Sequence, residues 1–215
     1  MIIYKKGEEN MSSKKSTNQK KNGLQVKDCI VMGVFGALLM LACSIGGAFF
    51  AVNPALTFYF PLGSAVLAGP VYMLLVAKVP KRGALSIVGL IIAALVLITG
   101  MHWAMALGSA ICSVLADFVA GAGEYKSKKI NILSYMVFSL GCTGTYLAFY
   151  INSESWARFM IGNGTSQDYI DTMKNAATTQ MLIIMYVGTL VIAFLSAFAG
   201  SKLLRKQFEK AGITK

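Results

Sequence analysis

The sequence predicts an all-α integral membrane protein, folded as a compact bundle of six transmembrane helices. Hydrophobic residues make up 56% of the 215-residue chain and only 13% are charged, with a mean hydropathy of +0.62. A soluble domain carries roughly 25% charged residues. Two long runs, 30–77 and 83–116, contain no charged residue. Because a bilayer core about 30 Å thick needs roughly 20 apolar residues per helix, the first run alone is long enough for two spans.

The six spans follow these apolar runs in chain order. We place them at about 29–50, 56–77, 84–100, 103–122, 131–151 and 181–201. The pair Asn53-Pro54 marks the first reversal, and a tight turn at 100–102 separates the third and fourth spans. Only the connection 152–180 is long. Within it, "TSQDYIDTMKNA" predicts a short helix with Thr165 or Ser166 as N-cap.

The distribution of basic residues predicts the orientation of the bundle. Four segments on one side carry 18 of the 20 Lys and Arg residues: 1–28, 78–83, 123–130 and 202–215. The other side has only Arg158 and Lys174. This positive-inside pattern predicts that both termini lie in the cytoplasm. The net charge of +11 therefore indicates topology and contact with anionic lipid, and nucleic acid is not an expected partner.

The chain divides into two regions by composition. Residues 1–27 are polar and rich in lysine, and we expect them to form a disordered basic tail. Residues 28–215 would form the membrane domain. They would lie in the bacterial cytoplasmic membrane as a multi-pass bundle.

The stretch "ITGMHWAMALG", residues 98–108, holds the only histidine of the chain and one of its two tryptophans. Charge counting places this turn outside the cell. Three interpretations of His102 stay open: an interfacial polar residue beside the belt anchor Trp103, a direct ligand contact, or a metal or haem ligand together with the neighbouring Met101 and Met105.

Asp117 is the only acidic residue within a predicted span. An intramembrane carboxylate should face the bundle interior and find a partner. It would pair structurally with Lys78 or with backbone groups, or else serve in coupling to a partner subunit or in proton relay.

Several catalytic chemistries lack the residues that they require. No G-x-x-x-x-G-K-[ST] phosphate loop occurs, so the chain cannot hydrolyse ATP by that route. A single histidine excludes bis-histidine haem and a His-based structural zinc site. His102 and Asp117 fall at opposite ends of the bundle, which argues against a Ser-His-Asp triad. We therefore predict neither an enzyme nor a cofactor, and any active transport would draw its energy from other subunits.

Three stretches carry a family resemblance: "GPVYMLLVAKVPKRGAL" (69–85), "ADFVAGAGEYKSKKINILSYMVFSLG" (116–141) and "LLRKQFEKAGI" (203–213). They resemble predicted S components, the substrate-binding membrane subunits of energy-coupling factor (ECF) transporters, in the group labelled Trep_Strep or MptD-like. The resemblance implies six helices with cytoplasmic termini and capture of a vitamin-like micronutrient at the outer face. The implied partners are a transmembrane coupling protein (EcfT-like) and two ATPase subunits (EcfA-like).

Small residues in the first span are candidates for that docking. Gly33 and Ala37 lie four residues apart on one helical face, and Gly36 begins a neighbouring face. The resemblance places the docking pattern of the family on Gly33 and Ala37. Packing within the bundle is the alternative for all three residues.

The candidate ligand contacts lie near the outer ends of the last three spans and in the outer loops. They are Asn53, His102, Trp103, Tyr146, Tyr150, Trp156, Arg158 and Gln180. Aromatic faces suit a planar ligand, amide and imidazole groups would orient it, and Arg158 would pair with an anionic group. Two other functions stay open: a haem- or metal-handling membrane protein, and an accessory subunit without a ligand.

Overall fold

The computed structural model describes residues 23–205, which form nine α-helices and two short 3₁₀ helices. The α-helices are α1 (Val26–Ala51), α2 (Phe60–Lys78), α3 (Ala84–Ile98), α4 (Trp103–Ala122), α5 (Lys128–Ser139), α6 (Gly144–Ile151), α7 (Ser153–Gly162), α8 (Gln167–Ala176) and α9 (Thr179–Leu203). The 3₁₀ helices, Thr57–Tyr59 and Leu140–Thr143, precede α2 and α6. The predicted tail 1–27 lies mostly outside the described residues.

Five helical segments of this described range are long and apolar enough to cross a membrane. They are Val26–Ala51, Thr57–Lys78, Trp103–Ala122, Lys128–Ile151 and Thr179–Leu203. Helix α3 is apolar but has only 15 residues. Large apolar side chains cover the outside of these helices, for example Ile45 on α1 and Phe118 on α4. Such a surface is unsuited to water and matches a lipid environment, which confirms the prediction of an all-helical, multi-pass membrane protein.

The long helices and α3 pack side by side in a closed ring. Helix α1 contacts α2 and α3, α3 contacts α4, α4 contacts α5, α5 contacts α9, and α9 returns to α2. Buried tyrosines cross-link this bundle. The Tyr72 hydroxyl lies 2.6 Å from the Ser134 hydroxyl, which donates to the Ala116 carbonyl, and the Tyr135 hydroxyl donates to the Ala65 carbonyl. Pairing these buried polar groups joins α2, α4 and α5 at little desolvation cost.

Asp117 joins the C-terminal part of α4 to the N-terminus of α3. Its carboxylate accepts hydrogen bonds from the Gly83 N–H (2.7 Å), the Ser86 hydroxyl (2.9 Å) and the Tyr125 hydroxyl (2.9 Å). Gly83 adopts φ +87°, a left-handed conformation that glycine accepts without strain. A carboxylate at a helix N-terminus also satisfies free N–H groups and the helix dipole. The partners are thus backbone and hydroxyl groups, and no described ion pair joins Asp117 to Lys78, which corrects that alternative.

The connection between α6 and α9 contains two helices rather than one. Helix α8 confirms the predicted short helix, and the Ser166 hydroxyl caps it by accepting from the Tyr169 N–H. Helix α7 was not predicted, although the Asn152 side chain caps it by accepting from the Ser155 N–H. Both helices bury apolar side chains against the end of the bundle, notably Trp156 and Ile170.

Candidate functional site

A cavity of about 150 Å³ lies where α7 and α8 cover the end of the bundle at the α3–α4 turn. Four methionines (Met101, Met105, Met160, Met173) and four aromatic residues (Phe60, Tyr146, Trp156, Tyr169) form most of its wall, with Ala51 completing the apolar part. Thr57, Thr145 and His102 are the other polar lining residues. An apolar, aromatic wall with a few polar groups is typical of small-molecule sites.

His102 is the N-cap of α4, and this role fixes the state of its ring. Nδ1 accepts a hydrogen bond from the Ala104 N–H at 3.2 Å. The residue is 4% exposed, and burial lowers the pKa of His102 below its ordinary value of about 6.5. The ring is therefore neutral at pH 7. Because Nδ1 uses its lone pair for the cap, the ring hydrogen is on Nε2.

Aromatic contacts hold the His102 ring in place. Its centroid lies 6.4 Å from the Trp156 ring in a stacked arrangement and 4.7 Å from the Phe159 ring edge-on. Both partners belong to α7, so this short helix is packed directly on the α4 N-terminus. The Trp156 indole N–H in turn donates to the Thr145 hydroxyl at 3.0 Å, which ties α7 to α6.

The hydroxyl groups of Thr57, Tyr146 and Tyr169 contribute a further polar part of the cavity wall. The Tyr146 hydroxyl lies 3.3 Å from the Thr57 hydroxyl, and the Tyr169 hydroxyl donates to the Ala51 carbonyl at 2.8 Å. Burial raises the pKa of Tyr169, so this phenol keeps its proton at neutral pH. The bond to Ala51 fastens α8 to the end of α1. Tyr169 therefore lines the cavity and also fixes α8, which covers it.

Three of the eight predicted ligand contacts, His102, Tyr146 and Trp156, come together in this cavity. Their common feature is that each is buried. Their proximity could not be predicted from sequence, because they belong to the N-terminus of α4, to α6 and to α7, which meet only in the folded bundle.

The other five predicted contacts do not line this cavity, and their role as ligand contacts stays a prediction. Asn53 is exposed and its side chain accepts from the Ala55 N–H in the α1–α2 turn. Trp103 is 54% exposed although its neighbour His102 is buried. The Tyr150 hydroxyl donates to the Thr178 carbonyl. Arg158 and Gln180 are exposed, and no lysine or arginine of the described residues lines the cavity.

Sequence reasoning missed most of the apolar wall. The missed lining residues are Ala51, Thr57, Phe60, Met101, Met105, Thr145, Met160, Tyr169 and Met173. A signal was present in the connection: Trp156 and Met160, and likewise Tyr169 and Met173, are four residues apart and so share a helical face. Reading both segments as amphipathic helices would have placed these four side chains together.

The three candidate docking residues of α1 have different environments. Gly36 is buried, and a Cβ there would lie 2.9 Å from the Ile91 side chain of α3. It therefore packs inside the bundle, which favours the alternative of packing over docking for this residue. A Cβ at Gly33 would meet no atom within 4 Å, and Ala37 is exposed. These two residues lie on the outer face of α1.

The geometry does not fit the haem hypothesis. A cavity of about 150 Å³ holds one benzene-sized ring, whereas haem contains four pyrrole rings and a metal. His102 would have to bind the iron through Nε2, and the ring hydrogen would then have to move from Nε2 to Nδ1. A protonated Nδ1 could no longer accept from the Ala104 N–H, so ligation would break the cap of α4.

Comparison with known proteins identifies the family. A family model described as a hypothetical bacterial integral membrane protein (Trep_Strep) matches residues 26–210. Since this match covers most of the chain, the chain belongs to that family and lies in the bacterial cell membrane as a multi-pass protein. No curated protein and no solved structure matches the chain.

Replacing His102 tests its role as a cap separately from its ring. His102→Ala and His102→Ser both remove the ring, but serine restores a side-chain acceptor at the N-cap. We expect the alanine variant to unfold with about 1 kcal/mol less free energy than the serine variant. Denaturant unfolding of the two proteins in the same detergent measures the difference. Equal stabilities would show that the Nδ1 contact does not stabilise α4.

Proposed function

We propose that this member of the Trep_Strep family of bacterial integral membrane proteins is the substrate-capture subunit of an ECF-type ABC importer. It would bind a vitamin-like small molecule at the outer face and deliver it to a transmembrane coupling protein with two ATPases. The cavity beneath α7 and α8 carries this proposal, because it is a small-molecule-sized site at one end of a membrane bundle. The resemblance of 69–85, 116–141 and 203–213 to S components supports it further.

The proposal includes six spans with both termini in the cytoplasm. Helix α3, with 15 residues, extends for only about 22 Å at 1.5 Å per residue. It nevertheless accompanies α4 from the Gly83–Asp117 contact to the turn at 99–102. If α4 crosses the membrane, α3 therefore crosses beside it. Local thinning of the bilayer would accommodate the shorter helix at a small cost in free energy. Under the positive-inside rule, the α3–α4 turn and the cavity beside it face outward.

The outer face of α1 is the proposed contact with the coupling protein. Gly33 and Ala37 leave a shallow surface between the exposed apolar side chains of Ile30, Val34 and Leu41. Small residues let a partner helix approach closely, and close packing drives association of helices in lipid. Among residues 23–205, no atom lies within 4 Å of the position that a Cβ at Gly33 would take.

Affinity purification of the full-length chain from its native membrane tests the proposal. We expect one coupling protein and two ATPase subunits to co-purify with it. The double variant Gly33→Phe/Ala37→Phe should reduce their recovery at least about tenfold, because two rings would separate the helices. Leu107→Phe places a ring at an exposed position of α4 and is the control; it should leave recovery unchanged.

Two results would contradict the proposal. If the wild-type chain is purified without any ATPase, it is not a subunit of such an importer. Equal recovery of the partners with the wild-type chain and the double variant would place the docking surface elsewhere.

A further inference from the structure

We infer that the cavity at the α4 N-terminus selects a small, electrically neutral, flat ring that presents a hydrogen-bond acceptor to Nε2 of His102. A neutral six-membered nitrogen heterocycle has this chemistry. The inference deepens the proposed function and rests on it, since it names the substrate class of the same site.

The first step concerns charge. No Lys, Arg, Asp or Glu lines the cavity within the described range, and Arg158 is exposed outside it. His102 is neutral and Tyr169 keeps its proton. A ligand charge buried among these groups would lose its hydration without gaining a counter-charge, which costs several kcal/mol. A neutral ligand has no such cost.

The second step concerns shape and size. The wall contains four methionine thioethers and four aromatic rings. Two of the aromatic residues, Trp156 and Tyr146, are nearly fully buried. Offset or edge-on contacts with rings favour a flat ligand, and sulfur–aromatic contacts with methionine add to them. The volume of about 150 Å³ equals that of an engineered protein cavity that holds benzene. One ring with a small substituent therefore fits.

The third step concerns the acceptor. Only 4% of the His102 surface is exposed, and the residue lines the cavity. Its Nδ1 caps α4, which leaves Nε2–H as the donor, and none of the hydrogen bonds among residues 23–205 involves Nε2. Among the described side-chain atoms only Asn131 Oδ1 is fully buried without a partner, so Nε2 of His102 remains accessible. A bound ring without an acceptor would enclose this donor unpaired, which costs free energy. An acceptor atom on the ligand would satisfy it, so the site favours rings with such an atom over rings without one.

The two tryptophans permit a direct binding assay. Trp156 lines the cavity and Trp103 is exposed outside it. In a Trp103→Phe background, Trp156 is the only tryptophan, so its fluorescence reports on the cavity alone. The probes are 2-aminopyrimidine, which is neutral with ring-nitrogen acceptors; aniline, which has the same size and amino group but no ring nitrogen; and pyrimidine-2-carboxylate, an anion. The full chain is titrated in lipid nanodiscs.

We expect 2-aminopyrimidine to change the Trp156 fluorescence saturably and to bind about three- to tenfold more tightly than aniline. The carboxylate should bind at least about tenfold more weakly than 2-aminopyrimidine. In His102→Ser, which keeps a cap, and in His102→Phe, which keeps a ring, the preference for 2-aminopyrimidine over aniline should disappear. The ratio of two affinities within one variant does not depend on how much protein is folded.

Three outcomes would overturn the inference: retention of the preference in both His102 variants, tighter binding of the anion, and no saturable binding of either neutral ring. None of these outcomes affects the co-purification test. If the ATPases co-purify with the chain but the fluorescence titration gives one of these outcomes, the proposed function stands and only this substrate class is rejected.

Discussion

Gly63→Ala should lower the free energy of unfolding by about 3 kcal/mol, a large effect for one added methyl group. Helices α1 and α2 touch at Gly46 and Gly63, where a Cβ on either residue would collide with the backbone carbonyl oxygen of the other. A Cβ at Gly63 would also lie 2.7 Å from the Phe50 ring. Backbone atoms cannot rotate away, so the two helices must separate.

The matched control is Gly162→Ala on α7, where an added Cβ meets no atom within 4 Å. Alanine has the higher helix propensity, so this variant should be as stable as the wild type or slightly more stable. Thermal or denaturant unfolding of both variants in detergent measures the effect. Equal stability of the two variants would contradict the close approach of α1 and α2.

This contact also matters for the site. Ala51 at the end of α1 and Phe60 at the start of α2 both line the cavity. Separation of the helices at Gly46 and Gly63 would move these two wall residues apart. The Gly63→Ala variant should therefore bind ligand more weakly as well as unfold more easily.

The sequence was sufficient for the all-helical membrane class and for most helix positions, whereas the count of six spans stays a prediction. A bilayer imposes one strong requirement, an apolar run about 20 residues long, and such runs are visible in one dimension. The fourth span was predicted at 103–122, and α4 covers Trp103–Ala122. The break of the fifth span at Leu140–Thr143 was not predicted, since it depends on a tertiary contact: a Cβ at Gly141 would lie 2.9 Å from the Ser109 backbone of α4.

The site was less predictable because its residues depend on which way each helix faces. Successive residues of a helix point about 100° apart, so neighbours such as His102 and Trp103 can have opposite environments. Charge counting predicts which end of the bundle faces outward, but it cannot orient side chains there. Arg158 and Gln180 were selected for their polarity, and both are exposed. Met160 and Met173 are hard to single out, because thioethers have no distinctive sequence signature among apolar residues.

Blocking the cavity should remove the ligand without unfolding the protein. Met160 lines the cavity and is only partly buried, so Met160→Trp would place a larger side chain at its wall with some freedom to adjust. We expect ligand occupancy to fall at least about tenfold, because added side-chain volume in a cavity of about 150 Å³ displaces a single ring. Ile161→Trp, at the next position of α7, is 43% exposed and provides the control.

Native mass spectrometry of the chain purified from its own membrane tests the central claim, capture of a small molecule in this cavity, most directly. The account predicts that the wild-type chain and Ile161→Trp carry the same small-molecule adduct, and that Met160→Trp carries at least about tenfold less of it. A wild-type chain without an adduct, or an adduct equally retained by Met160→Trp, would contradict the account.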